Sequence, residues 1–176
     1  ISGQPMRSRQ IVEHFASTPE YVSVRNLFKY GSMFNRELVF RKIPQKHVFF
    51  DYEALKSAPI EFYTGTMDCK TGKAVWFDKN ELSENLEITE ASCAVPMIAP
   101  IVKYKGFELL DGGIPAPIPI EKSLEDKNTF HVIVLTQNKG YVKKPFNNSA
   151  LAKIIYRKYP NVVKALEMRH EIYNRQ

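Results

Sequence analysis

The stretch on which the fold turns is Ile101-Val102-Lys103-Tyr104-Lys105-Gly106-Phe107-Glu108-Leu109-Leu110-Asp111-Gly112-Gly113. Two short runs of β-branched, aromatic and aliphatic residues flank Lys105-Gly106. A glycine in a two-residue connection supports positive φ, so the stretch predicts a β-hairpin over 101–104 and 107–110. The hairpin delivers the chain into Asp111, and two glycines follow at once. Adjacent glycines let the backbone turn tightly and let other atoms approach closely. A carboxylate on such a turn is well placed to act as a base. No serine of this sequence stands in a Gly-x-Ser-x-Gly elbow.

Working outward, Ile60–Thr66 and Lys73–Phe77 are also aromatic and β-branched. They are separated by Asp68-Cys69-Lys70-Thr71-Gly72, so a second hairpin is expected, with Asp68 as a turn former. Glu84–Ala94 predicts a short helix with Ala91, Ser92 and Ala94 on one side, closed off by Pro96. Asp51 is a good N-cap for a helix over Tyr52–Ser57. Residues 6–16 predict a helix, and residues 20–42 two short elements hinged at Gly31. Ser32–Glu37 carries a capping pattern.

Downstream, Pro115, Pro117 and Pro119 fix an extended path, and Ile120–Asp126 predicts a short helix. His131-Val132-Ile133-Val134-Leu135-Thr136 is a continuous apolar run, the pattern of a buried central strand, typically parallel. A helix capped by Asn148 or Ser149 runs to near Tyr159, and Pro160 starts another to near Tyr173. Hairpins, a buried strand and outer helices together indicate an α/β domain.

The 176 residues, 44% hydrophobic and 25% charged, are enough for one globular domain with its own core. The longest apolar run, Ala94–Val102, includes two prolines and is far too short to span a bilayer. Cys69 and Cys93 have no Cys or His at metal spacing. Two isolated thiols suit buried core positions in a reducing, cytoplasmic compartment. His14, His47, His131 and His170 likewise lack metal spacing, and His131 is expected to be a satisfied structural residue at the start of the buried strand.

The net charge of +6 is unevenly spread. Residues 1–50 carry eight Lys/Arg against three Asp/Glu, residues 51–138 eight against fourteen, and residues 139–176 nine against two. Basic ends attract an anionic membrane surface or nucleic acid, although a solvated helical face explains the same charges.

The ordered series from residue 60 to residue 136 resembles the bacterial branch of the patatin-like phospholipase family. Its parts are Thr66-Met67-Asp68-Cys69-Lys70-Thr71-Gly72-Lys73, Ala91-Ser92-Cys93-Ala94-Val95-Pro96, the hairpin over 101–110, Asp111-Gly112-Gly113-Ile114, Pro117-Ile118-Pro119-Ile120, and a run ending in Leu135-Thr136. Arg25-Asn26-Leu27, Gly31-Ser32-Met33-Phe34 and Phe50-Asp51-Tyr52 also match, so the resemblance covers nearly the whole chain. Single motifs here are weak; the ordered series is strong.

The resemblance implies a three-layer fold with a central, mostly parallel sheet. It also implies a lipid acyl hydrolase that uses a Ser–Asp dyad without histidine, metal or organic cofactor. Carried over, Asp111 is the dyad base, and Gly112, Gly113, Ala94 and Pro96 support its turn and site. The family's glycine-rich oxyanion segment and serine elbow would precede Ile1, so the chain is expected to be a middle-to-C-terminal portion, inactive alone. Residues 1–138 would be the C-terminal part of the hydrolase domain and residues 139–176 a basic helical extension. Its expected partners are a lipid or ester substrate, the N-terminal half of its own protein, and an anionic membrane surface at which the protein is peripheral. The strand at 131–136 would otherwise self-associate through an exposed edge.

Two other readings stand beside this one. One is a non-catalytic basic module that binds anionic membrane or nucleic acid through its ends. The other is a catalytically dead homologue. Ser92 and Cys93 are set aside as nucleophiles, because Ser92 lacks elbow glycines and Cys93 has no histidine nearby in sequence.

Overall fold

The computed structural model describes residues 6–82 and 86–176. The expected hairpins are both present. β1 (Tyr63–Asp68) pairs with β2 (Ala74–Asp78), and β3 (Val102–Tyr104) pairs with β4 (Phe107–Asp111). In the β3–β4 turn Lys105 has φ 43° and Gly106 φ 83°. Two successive positive φ values give the primed turn whose twist matches the flanking strands. In the β1–β2 loop the Asp68 carboxylate accepts from Lys70 N, Thr71 N and the Thr71 hydroxyl, so it is a turn former as expected.

The hairpins join through β1 and β4, giving the strand order β2-β1-β4-β3. Thr66 lies opposite Asp111, Met67 opposite Leu110 and Asp68 opposite Leu109. Every pairing in this four-stranded sheet is antiparallel, which corrects the expectation of a mostly parallel sheet. Consecutive residues of a strand point to opposite faces. Thr66 and Met67 on β1, and Leu109 and Leu110 on β4, are all fully buried, so both faces of the central pair are covered.

α4 (Glu87–Ser92) packs across β1, β3 and β4. Its expected beginning, at Glu84, lies outside the described residues. α6 (Ser149–Ile155) and α7 (Pro160–Arg175) form a helical pair. Their Ala152, Tyr156, Val162, Val163 and Leu166 join the main core with Met67, Leu109 and Ile88. Pro160 opens α7 as expected. Asn148 stands at the N-cap of α6 but makes no capping bond with its side chain.

The N-terminal third is helical and builds a small second core of Leu38, Ile43 and Val48 against Ile11, Phe15 and Tyr21. α1 (Arg7–Ile11) runs on into a π-helical segment, Val12–Ala16. α2 (Val24–Tyr30) is capped by Ser23 and ends at Gly31, the expected hinge. A second π-helical segment, Leu38–His47, contains Pro44. Its start is capped by the Asn35 carboxamide, which accepts from Leu38 N, and not by Ser32, whose hydroxyl accepts from Phe34 N. α3 (Tyr52–Ser57) has Asp51 as its N-cap, with the carboxylate accepting from Ala54 N at 2.9 Å. α5 (Ile120–Glu125) follows the prolines.

The largest departure from expectation is at 131–136. This run forms no strand, and Val132, Ile133, Val134 and Leu135 are 77%, 52%, 86% and 56% exposed. The physical reason is the lack of a ladder. An extended apolar run becomes a buried strand only where neighbouring strands take up its N–H and C=O groups. No described strand pairs with it. His131 at its start is partly exposed and is hydrogen-bonded through Nδ1 to the Ser123 hydroxyl at 2.8 Å. Among the described residues no helix is long and apolar enough to cross a membrane.

Candidate functional site

Asp111 is the last residue of β4, opposite Thr66, and the strand register holds its backbone. Its amide donates to the carbonyl of Ala94 at 3.0 Å, which ties the turn to the segment just beyond α4. The chain then bends, and Oδ1 of the carboxylate accepts from the Gly113 amide at 2.7 Å. That bond fixes the carboxylate against its own turn. From α7 the Arg169 Nε donates to the Gly113 carbonyl at 2.9 Å and clamps the turn from the other side.

The two glycines have different tasks. Gly112 is buried against β1, where an added Cβ would stand 2.7 Å from Thr66 N and nearer still to the Gly65 carbonyl carbon and oxygen. Only a residue without a Cβ lets the turn lie so close to that strand. A Cβ on Gly113 would instead meet the Asp111 carboxylate, at 3.1 Å from Oδ1. Ala94 and Pro96 are buried; Ala94 supplies the carbonyl for Asp111, whereas Pro96 is set back from the cleft. The five residues expected to form or support the site therefore cluster, but only Asp111 and Ala94 line the space beside it.

That space is a cleft of about 440 Å³. Its walls are largely apolar, with Phe34, Val39 and Phe40 among them, and its polar groups include Asp111, Glu90 and Arg36. Val39 and Phe40 also line a second apolar cavity of about 400 Å³, closed further on by Ile43, Phe50 and Leu55. The two spaces are thus neighbours across one pair of side chains.

Burial raises the Asp111 carboxyl above its ordinary value, against the lowering effect of the Gly113 amide and the Arg169 guanidinium. A carboxylate held this way is a stronger base than one in water. Cys93 reaches solvent at the cleft and is not the buried core residue expected from sequence; Cys69 is. The crowding around Cys93, with the Asp111 and Glu90 carboxylates, raises its thiol. The Cys69 thiol is pushed up to about 12, chiefly by burial. Neither is an activated nucleophile, because the reactive form is the thiolate.

Sequence reasoning missed the Arg36–Glu90 ion pair on the cleft wall and the Arg169 clamp. Glu90 is only 3% exposed, an acid among the small residues of α4, and such an acid needs a cation. Neither that burial nor the partner, 54 positions away, stands out in the sequence. Comparison with protein-family models, with curated proteins and with solved structures finds no match.

Proposed function

We propose that this chain carries the base of a Ser–Asp dyad in a patatin-like lipid acyl hydrolase. The observation that carries the reading is the Asp111 carboxylate, oriented by the Gly113 amide, raised by burial and facing an apolar cleft. The resemblance of the ordered motifs supplies the reaction class. The serine belongs to a segment outside this sequence.

In this reading the serine hydroxyl attacks the acyl carbonyl of the ester while Asp111 accepts its proton. The proton passes to the departing alcohol oxygen as the ester C–O bond breaks. Water then attacks the acyl-serine, again with Asp111 taking the proton, and the carboxylic acid leaves as the serine oxygen is reprotonated. This is covalent acyl transfer with a carboxylate as the only general base. The paired cavities on either side of Val39 and Phe40 suit an aliphatic chain. The exposed run Val132–Leu135 is the place where strands of the upstream half add to the fold, and without them it is the place of self-association. In this reading the protein works in the cytoplasm and is peripheral to the membrane.

The test is hydrolysis of p-nitrophenyl esters. The 176-residue chain alone gives neither burst nor turnover, because nucleophile and oxyanion donors are outside it. Joined to an upstream segment with a Gly-x-Ser-x-Gly elbow, it turns over, and Asp111→Asn lowers the rate roughly a hundred- to ten-thousandfold. Turnover by the chain alone, or an unimpaired Asp111→Asn enzyme, overturns the proposal.

A further inference from the structure

α6 turns one face inward and another outward. Ala152 and Tyr156, four residues apart, are 0% and 4% exposed, whereas Leu151, Ile154 and Ile155 are 50%, 72% and 47% exposed. Positions i, i+3 and i+4 lie together on a helix surface, so the three aliphatic side chains form one patch. Single exposed aliphatics are ordinary; three grouped on one turn mark a surface that meets something apolar.

The surroundings of this patch are cationic. Lys153, Arg157 and Lys158 are exposed on the same stretch of chain, and Lys164 of α7 shares a shallow depression of about 210 Å³ with Lys153 and Arg157. Glu167 stands 4.0 Å from Lys153, Glu171 pairs with Arg175, and the Glu108 carboxylate accepts from the hydroxyl of Tyr159 between the two helices. Residues 139–176 hold nine Lys/Arg against two Asp/Glu, so the region keeps a strong positive field.

We propose that the α6–α7 pair docks the protein on an anionic lipid surface. Leu151, Ile154 and Ile155 enter the boundary between headgroups and acyl chains, while Lys153, Arg157, Lys158 and Lys164 meet the lipid phosphates. An exposed apolar patch with cations alongside it is the pattern of an interfacial element. A nucleic-acid backbone answers the cations but offers no apolar phase to the aliphatic patch. The dock is also tied to the cleft, since the Tyr156 hydroxyl at the end of α6 accepts from Met97 N at 2.7 Å. Met97 lies between Val95 and Ala99, which line the cleft beside Asp111. Delivery of substrate to that cleft rests on the hydrolase reading; the docking itself does not.

The experiment is co-sedimentation of the chain with vesicles of phosphatidylcholine alone or mixed with phosphatidylglycerol, at low and high salt. The chain pellets with the anionic vesicles, less so as salt rises, and stays in the supernatant when the vesicles are phosphatidylcholine alone. Ile154→Ser weakens binding about tenfold at either salt. Arg157→Glu with Lys158→Glu weakens it at least as much at low salt. All three positions are exposed, and circular dichroism checks that the variants keep their helices. Val134→Ser, on the other exposed apolar run, and Asp111→Asn, in the cleft, leave binding unchanged. Failure of the wild-type chain to bind anionic vesicles overturns the proposal. So does Ile154→Ser binding like wild type, a Val134→Ser loss as large, or duplex DNA binding that displaces vesicles and ignores Ile154.

Discussion

Replacement of Gly112 by alanine tests how the Asp111 turn is built. The added Cβ would lie 2.7 Å from Thr66 N and closer to the Gly65 carbonyl, whereas ordinary contacts begin near 3.5 Å. These are backbone atoms and cannot rotate aside. β1 cannot simply retreat either, because β2 holds it from behind through Gly65 opposite Trp76 and Thr66 opposite Val75. The turn must move by about an ångström, at the cost of the Thr66–Asp111 pairing or of the Asp111–Ala94 bond. Overpacking of this kind costs about 3 kcal/mol. For a chain of this length that lowers Tm by roughly 6–12 °C. Gly106→Ala is the control: its φ of 83° strains an alanine, but nothing lies within 4 Å of the new Cβ, and the cost is about 1–2 kcal/mol. Thermal and urea unfolding followed by circular dichroism decide between the two. If Gly112→Ala melts within about 2 °C of wild type, or above Gly106→Ala, the close approach of turn and strand is wrong.

Three further outcomes are expected. Arg36→Met leaves the buried Glu90 carboxylate without its cation and costs about 2–3 kcal/mol, less than a fully buried pair because Arg36 is 34% exposed; Glu90→Gln in the same chain recovers most of the loss in urea titrations, and equal stability of single and double variants rejects the pairing. Asp111→Asn removes a charge that helps hold the Cys93 thiol up, so iodoacetamide alkylates Cys93 faster in that variant while Cys69 stays unlabelled in the native chain; mass spectrometry of the labelled peptides reads both. The raised Asp111 carboxyl binds its proton more tightly folded than unfolded, so its stabilising contribution is full below the ordinary carboxyl value and is lost as pH rises through the raised value; Asp111→Asn flattens this slope in stability-against-pH curves, and identical slopes for the two proteins contradict it.

The local parts of the fold were legible where chemistry and geometry are both short-range. Gly106 marked a two-residue turn and Asp51 an N-cap, and each lies where the residue type demands. Sheet direction was not legible in this way. The run at 131–136 has the composition of a buried strand, but composition does not supply ladder partners, and the described strands complete an antiparallel sheet without it. The π-helical winding of Leu38–His47 has no marker in residue type, and Pro44 argues against a helix there. At the site, Asp111 and its glycines stood out because they are contiguous. Arg36, Glu90 and Arg169 did not, because each acts on a residue distant in sequence.

The bare stretch from Val132 to Leu135 has a consequence for the life of the chain outside its binding events. Four consecutive β-prone residues carry no charge and no proline, and Phe130 just before them is 81% exposed. Such a segment is close to the size at which identical strands stack into a dry zipper. Wherever this run stays uncovered it is an aggregation-prone segment on the surface of an otherwise folded chain. Loss of the chain to insoluble material is therefore expected to follow protein concentration and the exposure of Val132–Leu135 more closely than the unfolding free energy of the core.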